Sequence, residues 1–68
     1  MNIYYLRVIT GGSAIIDMEV KADGVAWSES GLYEFWTFNE NSQRVGVAYY
    51  PVDRTIIESI DYNFEEND

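Results

Sequence analysis

Ala14-Ile15-Ile16-Asp17-Met18-Glu19-Val20-Lys21-Ala22, followed by Asp23-Gly24, decides the fold class. Ala14, Ile16, Met18, Val20 and Ala22 alternate with Ile15, Asp17, Glu19 and Lys21. A period of two puts the first set on one side of an extended chain and the second on the other. This is the pattern of a strand with one face in a core and one in water. Asp-Gly after such a run predicts a two-residue type I′ hairpin, because glycine takes positive φ without strain. In the run that follows, Val25 and Trp27 share a face, and Trp27 is expected in the core.

Working outward, turn signals recur at short intervals: Gly11-Gly12, Ser30-Gly31, Asn39-Glu40-Asn41-Ser42 and Pro51-Val52-Asp53. Between them lie runs rich in Val, Ile, Tyr, Trp and Phe. The spacing predicts strands over 3–10, 13–22, 25–29, 32–38, 44–50 and 55–62. In the fifth run Val45, Val47 and Tyr49 fall on one face, and Gly46, Ala48 and Tyr50 on the other. Ile56, Ile57, Ile60 and Phe64 also fit a helical stripe, but three Ile and a Thr favour a strand. The expected fold is all-β: a single antiparallel meander of five or six strands forming a barrel-like or packed sheet. Residues 1–62 form the domain and 63–68 an acidic tail.

The chain has 68 residues, which is one small domain, with no cysteine and no histidine. Disulfides, zinc or haem ligation and nucleophilic catalysis by Ser–His or Cys–His pairs are therefore excluded. No basic leader or long apolar run is present, so the expectation is a soluble cytoplasmic protein away from membranes. Twelve acids against four bases give a net charge of −8. The imbalance is local. Residues 1–22 carry Arg7, Lys21, Asp17 and Glu19, which cancel; residues 23–68 carry ten acids against Arg44 and Arg54. Direct nucleic-acid binding is not expected of such a chain, because phosphate contacts need Lys and Arg.

Asp17 and Glu19, two apart on one strand face, are the nearest thing to a catalytic carboxylate pair. Beside Lys21 and opposite an apolar face, they read as a solvated surface. The 39–42 stretch has one acid and no glycine, so it reads as a hairpin loop and not a calcium site. Neither enzymatic activity, a metal nor a cofactor is expected. Aromatic residues make up 16% of the chain. Trp27, Trp36, Tyr49 and Tyr50 lack the basic groove of a base-stacking platform, so core packing accounts for most of them. Tyr33 and Trp36 are the surplus, in a run apolar on both faces (32–38). Together with the run 3–9 this predicts a homo-oligomer.

The order Tyr4-x-x-Arg7-Val8-x-Thr10-Gly11-Gly12, Val20-x-Ala22-Asp23-Gly24-Val25, Gly31-Leu32-x-x-Phe35, Val45-Gly46-Val47-Ala48-Tyr49-Tyr50-Pro51 and Ile56-Ile57-Glu58-Ser59-Ile60 resembles small phage and prophage all-β accessory proteins. The resemblance covers most of the chain and carries no catalytic motif. It implies an accessory protein in a host cytoplasm that binds a host protein, as inhibitors of defence systems do. The functional expectation is a non-catalytic protein-binding module, an inhibitor of a host protein with a basic surface. Its contact residues are Tyr33 and Trp36 with the acids Glu29, Glu34, Glu40, Glu65, Glu66 and Asp68. The alternative is an oligomer that sequesters a small nucleotide-type molecule, or a structural subunit of a larger assembly.

Overall fold

The computed structural model describes residues 1–12 and 14–62. The expected acidic tail, with Glu65, Glu66 and Asp68, lies outside the described residues. The strands are β1 (Asn2–Ile9), β2 (Ile15–Ala22), β3 (Gly24–Trp27), β4 (Leu32–Phe38), β5 (Arg44–Pro51) and β6 (Thr55–Asp61), with a 3-10 turn at Val52–Arg54 before β6. They form two antiparallel sheets of three strands, ordered β2-β1-β6 (sheet A) and β3-β4-β5 (sheet B). The chain is all-β as expected, but the sheets do not close into a barrel. Among the described residues no helix is long and apolar enough to cross a membrane.

Asp23-Gly24 is not a hairpin. Strands β2 and β3 belong to different sheets and are separated only by Asp23, so one long strand bends there and passes from sheet A to sheet B. Strands that switch sheets in this way make the corners of packed β-sheets. Gly31, with φ 82°, is the glycine in the left-handed region, and Gly24 is not. The reason for glycine at 24 is a ring, described below, and not a turn.

Asp23 fastens the corner. Its backbone N–H donates to the Trp36 carbonyl (2.8 Å), and its Oδ2 accepts from the Thr37 hydroxyl (2.6 Å) and the Phe38 N–H (3.1 Å). The Met1 ammonium lies 3.6 Å from Oδ1. The Thr37 hydroxyl first, then the Phe38 N–H, hold the carboxyl below its ordinary pKa. A depressed carboxylate contributes stability above its unfolded value and loses it as pH falls through the folded one. Asp23→Asn is therefore expected to melt below the native chain near neutral pH. The gap should narrow as pH is lowered from about 6 to about 3, across the ordinary Asp pKa. Thermal melts at several pH values check this, and a gap that widens in acid would contradict it.

The core lies between the sheets. Tyr4 and Leu6 from β1, Val20 and Ala22 from β2 and Phe35 from β4 are buried in one cluster. Phe35 is its centre: the Tyr4 ring packs edge-on at 5.1 Å and the Tyr50 ring at 6.0 Å. Trp27, expected in this core, is instead 76% exposed. It shares Val25's side of the sheet but ends β3 at its free edge, beyond the reach of sheet A's cover.

Two bulges reset which residues face inward. In β6, Leu6 pairs with Ile57 and Tyr5 with Ser59, leaving Glu58 as the extra residue. Ile57 and Ile60 both pack on the core although they are three apart, which is the spacing that imitates a helix. In β5, Phe35 pairs with Ala48 and Trp36 with Gly46, leaving Val47 extra. The expected grouping of Val45 and Val47 with Tyr49 is therefore corrected: Gly46 shares the outer face with Tyr49, while Ala48 and Tyr50 face the core.

Thr55, opposite Val8, is buried, and its Oγ1 has no hydrogen-bond partner among the described residues. A buried hydroxyl without a partner costs about 1–3 kcal/mol. Thr55→Val keeps the shape and removes that cost. The expected gain of about 1 kcal/mol corresponds to a Tm rise of about 4–8 °C in a domain of this size. A melting curve decides it, and a lowered Tm would be the contrary result.

Candidate functional site

The outer face of sheet B carries side chains that the core does not use. Its register follows from its hairpin loops. Ser28 N–H donates to the Leu32 carbonyl (2.9 Å) and Asn39 N–H to the Gln43 carbonyl (2.9 Å), each pair closing a three-residue loop. In each loop the third residue, Gly31 or Ser42, takes positive φ, the geometry of a type I turn with a left-handed exit. The Asn39 side chain secures the second loop by accepting from the Asn41 and Gln43 N–H groups. With that loop fixed, Phe38 meets Arg44, and Trp36 meets Gly46 on one side and Gly24 on the other. The next row is Ala26, Glu34 and Tyr49.

The Trp36 indole lies over Gly24: a Cβ there would come 2.6 Å from Trp36 Cε2. The Arg44 guanidinium sits over the same ring, 4.1 Å from its centroid, a cation–π contact. Phe38 packs against Trp36 edge-on at 5.2 Å. Tyr49 lies over Gly46, where an added Cβ would come 2.8 Å from Tyr49 Cζ, and its hydroxyl donates to Glu34 Oε2 at 3.1 Å. That hydrogen bond, followed by the charge of Glu34, raises the Tyr49 pKa, so the phenol stays a donor at neutral pH. Each aromatic is thus held in place by a glycine, a charge or a neighbouring ring. Phe38 and Tyr49 are more than half exposed.

Of the contact residues expected from sequence that are among the described residues, only Trp36 and Glu34 share this face. Tyr33 does not belong to it. It pairs with Trp27 and Tyr50 on the inner side and packs against the core, with Phe35 at 6.5 Å. Glu29 and Glu40 lie in the loops at opposite ends of β4. Seven residues at about 3.3 Å each put roughly 23 Å between those ends, so the acids are strung along the sheet and not gathered. The sequence reading missed Arg44, Phe38 and Tyr49 as surface groups. Counting back from the 39–43 loop would have placed Arg44 beside Phe38 and Gly46 opposite Trp36.

The middle of sheet A's outer face is polar and internally paired. Arg7 Nε lies 3.4 Å from Asp17 Oδ1 and 3.4 Å from Glu58 Oε1, and Tyr5 donates to Asp61 at 2.9 Å. Asp61's hydrogen bond is the main cause that raises the Tyr5 pKa. An open hollow of about 360 Å³ adjoins them, lined by Tyr5, Leu6, Asp17, Met18, Glu19 and Glu58. Among the described residues no group of three acids is placed to hold a metal ion. Asp17 and Glu19 lie on an exposed strand face, and Asp17 is tied to Arg7.

The aromatic–guanidinium set of sheet B suits non-covalent contact. Compared with protein-family models, curated proteins and solved structures, the chain matches none.

Proposed function

We propose that this chain is a non-catalytic protein-binding module that docks a basic partner on the outer face of sheet B. The observation that carries this is Trp36, clasped between Gly24 and the Arg44 guanidinium and flanked by Phe38 and Tyr49. Trp, Tyr, Phe and Arg are the residues that protein interfaces enrich, and Trp, Tyr and Arg dominate their energetic centres. Rings already held in place lose little freedom when a partner arrives, so more of the contact energy remains as affinity.

The partner's charge follows from the chain's own. A net −8 concentrated in residues 23–68 speeds encounter with a positive surface and repels a negative one. Basic protein surfaces in a host cytoplasm commonly serve nucleic acid, so a docked acidic module blocks that use. The resemblance to phage accessory proteins supports reading the docking as inhibition.

The test is to isolate the partner from bacterial lysate with the native chain, purify it, and measure its affinity against variants. Trp36→Ala, at a concentration where it remains folded, is expected to weaken binding about 30-fold, as a 2 kcal/mol hot spot does. Association should slow steeply between about 50 mM and about 300 mM salt, as screening shortens the reach of exposed charge. A partner whose affinity is indifferent to Trp36→Ala and Phe38→Ala would overturn the assignment of this face.

A further inference from the structure

The end of sheet A beside the β1–β2 hairpin exposes isoleucines from all three strands. Ile9 and Ile15 face each other across β1 and β2, and Ile56 sits on β6 opposite Arg7, one row in. They are 38%, 60% and 52% exposed. Single apolar residues on a surface are ordinary, but three from adjacent strands form a continuous patch, and such patches mark contact sites.

We infer that two copies of this chain associate through this patch about a two-fold axis. Charge selects the occupant. Arg7, in the same row as Ile56, is paired with both Asp17 and Glu58, and residues 1–22, which supply β1 and β2, carry two bases against two acids. Most of the net −8 lies elsewhere, in residues 23–54 and 62–68. Two copies that each carry −8 repel when their acidic regions approach, and the isoleucine end offers them a less charged, apolar meeting surface. An all-apolar patch is also its own complement, which an isologous contact requires. A chain of 68 residues buries a smaller share of its surface than a larger domain does, so a second copy adds cover. The association is independent of the docking proposal, because the docking face is on the other sheet. A two-fold pair leaves both docking faces outward, and so presents two of them together.

Light scattering on the purified chain tests it. The mass is expected to rise from 7.9 kDa toward twice that value as concentration goes from about 1 µM to about 1 mM. Ile15→Asp should hold the monomer mass at least tenfold further up that range, with an unchanged Tm in dilute solution, since Ile15 is exposed. The chain contains no cysteine, so single thiols report geometry. Oxidised Ile15→Cys should form a disulfide-linked pair, and Phe38→Cys, on sheet B, should not. A monomer mass throughout the range overturns the inference. So does a dimer that cross-links through Phe38→Cys and not Ile15→Cys, or a monomer that binds phosphatidylcholine vesicles, which would assign the patch to a lipid surface.

Discussion

Phe35→Ala is expected to unfold the chain at room temperature, whereas Trp27→Ala leaves it folded. Phe35 is fully buried, with Tyr4 and Tyr50 packed edge-on against it and Tyr33 tilted beside it. It is the one side chain of sheet B wholly buried in the core cluster, whose other buried members come from sheet A. Removing a buried Phe side chain costs about 3–5 kcal/mol, part transfer energy and part cavity. At 0.05–0.15 kcal/mol per residue, a chain of this length has roughly 3–10 kcal/mol of stability in total. The substitution therefore removes much or all of it. Trp27 is the larger side chain and, from sequence alone, the more natural core residue. At 76% exposed, its loss should change stability by only about 0.5 kcal/mol either way. Circular dichroism with urea titration of both variants decides the matter. A Trp27→Ala variant as damaged as Phe35→Ala would show that the indole packs where the structure places solvent.

Gly24→Ala is expected to displace Trp36 and with it the docking face. The added methyl would overlap the indole, with Cε2 at 2.6 Å. Gly24 has no positive φ, so alanine meets no backbone penalty there and the ring contact is tested by itself. The indole must swing off Gly24, which takes it out from under Arg44 and away from Phe38. Forcing extra volume into a packed contact costs about 1–3 kcal/mol. In a Trp27→Phe background, Trp36 is the sole indole, and its emission should shift to the red as the ring enters water. Affinity for the partner should fall as it does for Trp36→Ala. Unchanged emission and unchanged Tm would mean that the ring does not rest on Gly24.

The face proposed for docking was half legible. Trp36 stood out as an aromatic that a one-sided strand does not need, and Glu34 was named as one of the acids concentrated in residues 23–68. Tyr33 was misassigned to the surface because the run 32–38 is apolar on both faces, and alternation does not say which of its two faces is inside. The β5 partners were hidden by the extra residue at Val47. An alternating pattern read through a bulge exchanges faces at that point, so Gly46 and Tyr49 were placed on opposite sides of a sheet when they share one.

Local chemistry reaches as far as the strands. The alternation of 14–22, the glycine and asparagine loops and the β-branched runs place six strands within a few residues of where they lie, because each signal acts over a handful of neighbours. The absence of cysteine and histidine likewise excludes whole classes of chemistry with no structure needed. How the strands assemble is another matter. Asp23-Gly24 suits a hairpin locally, but Asp23 finds Thr37 and Phe38 fourteen and fifteen residues away, and Gly24 finds the Trp36 ring. Those long-range partners turn the hairpin into a corner between two sheets. The same holds for the isoleucines: their apolar character is written in the chain, but only the pairing of β1 with both β2 and β6 brings Ile9, Ile15 and Ile56 to one end of one sheet. Sequence determines which segments extend and which residues are apolar. Tertiary pairing decides which of those residues meet one another and which are left to meet a partner, because burial depends on neighbours far away in the chain.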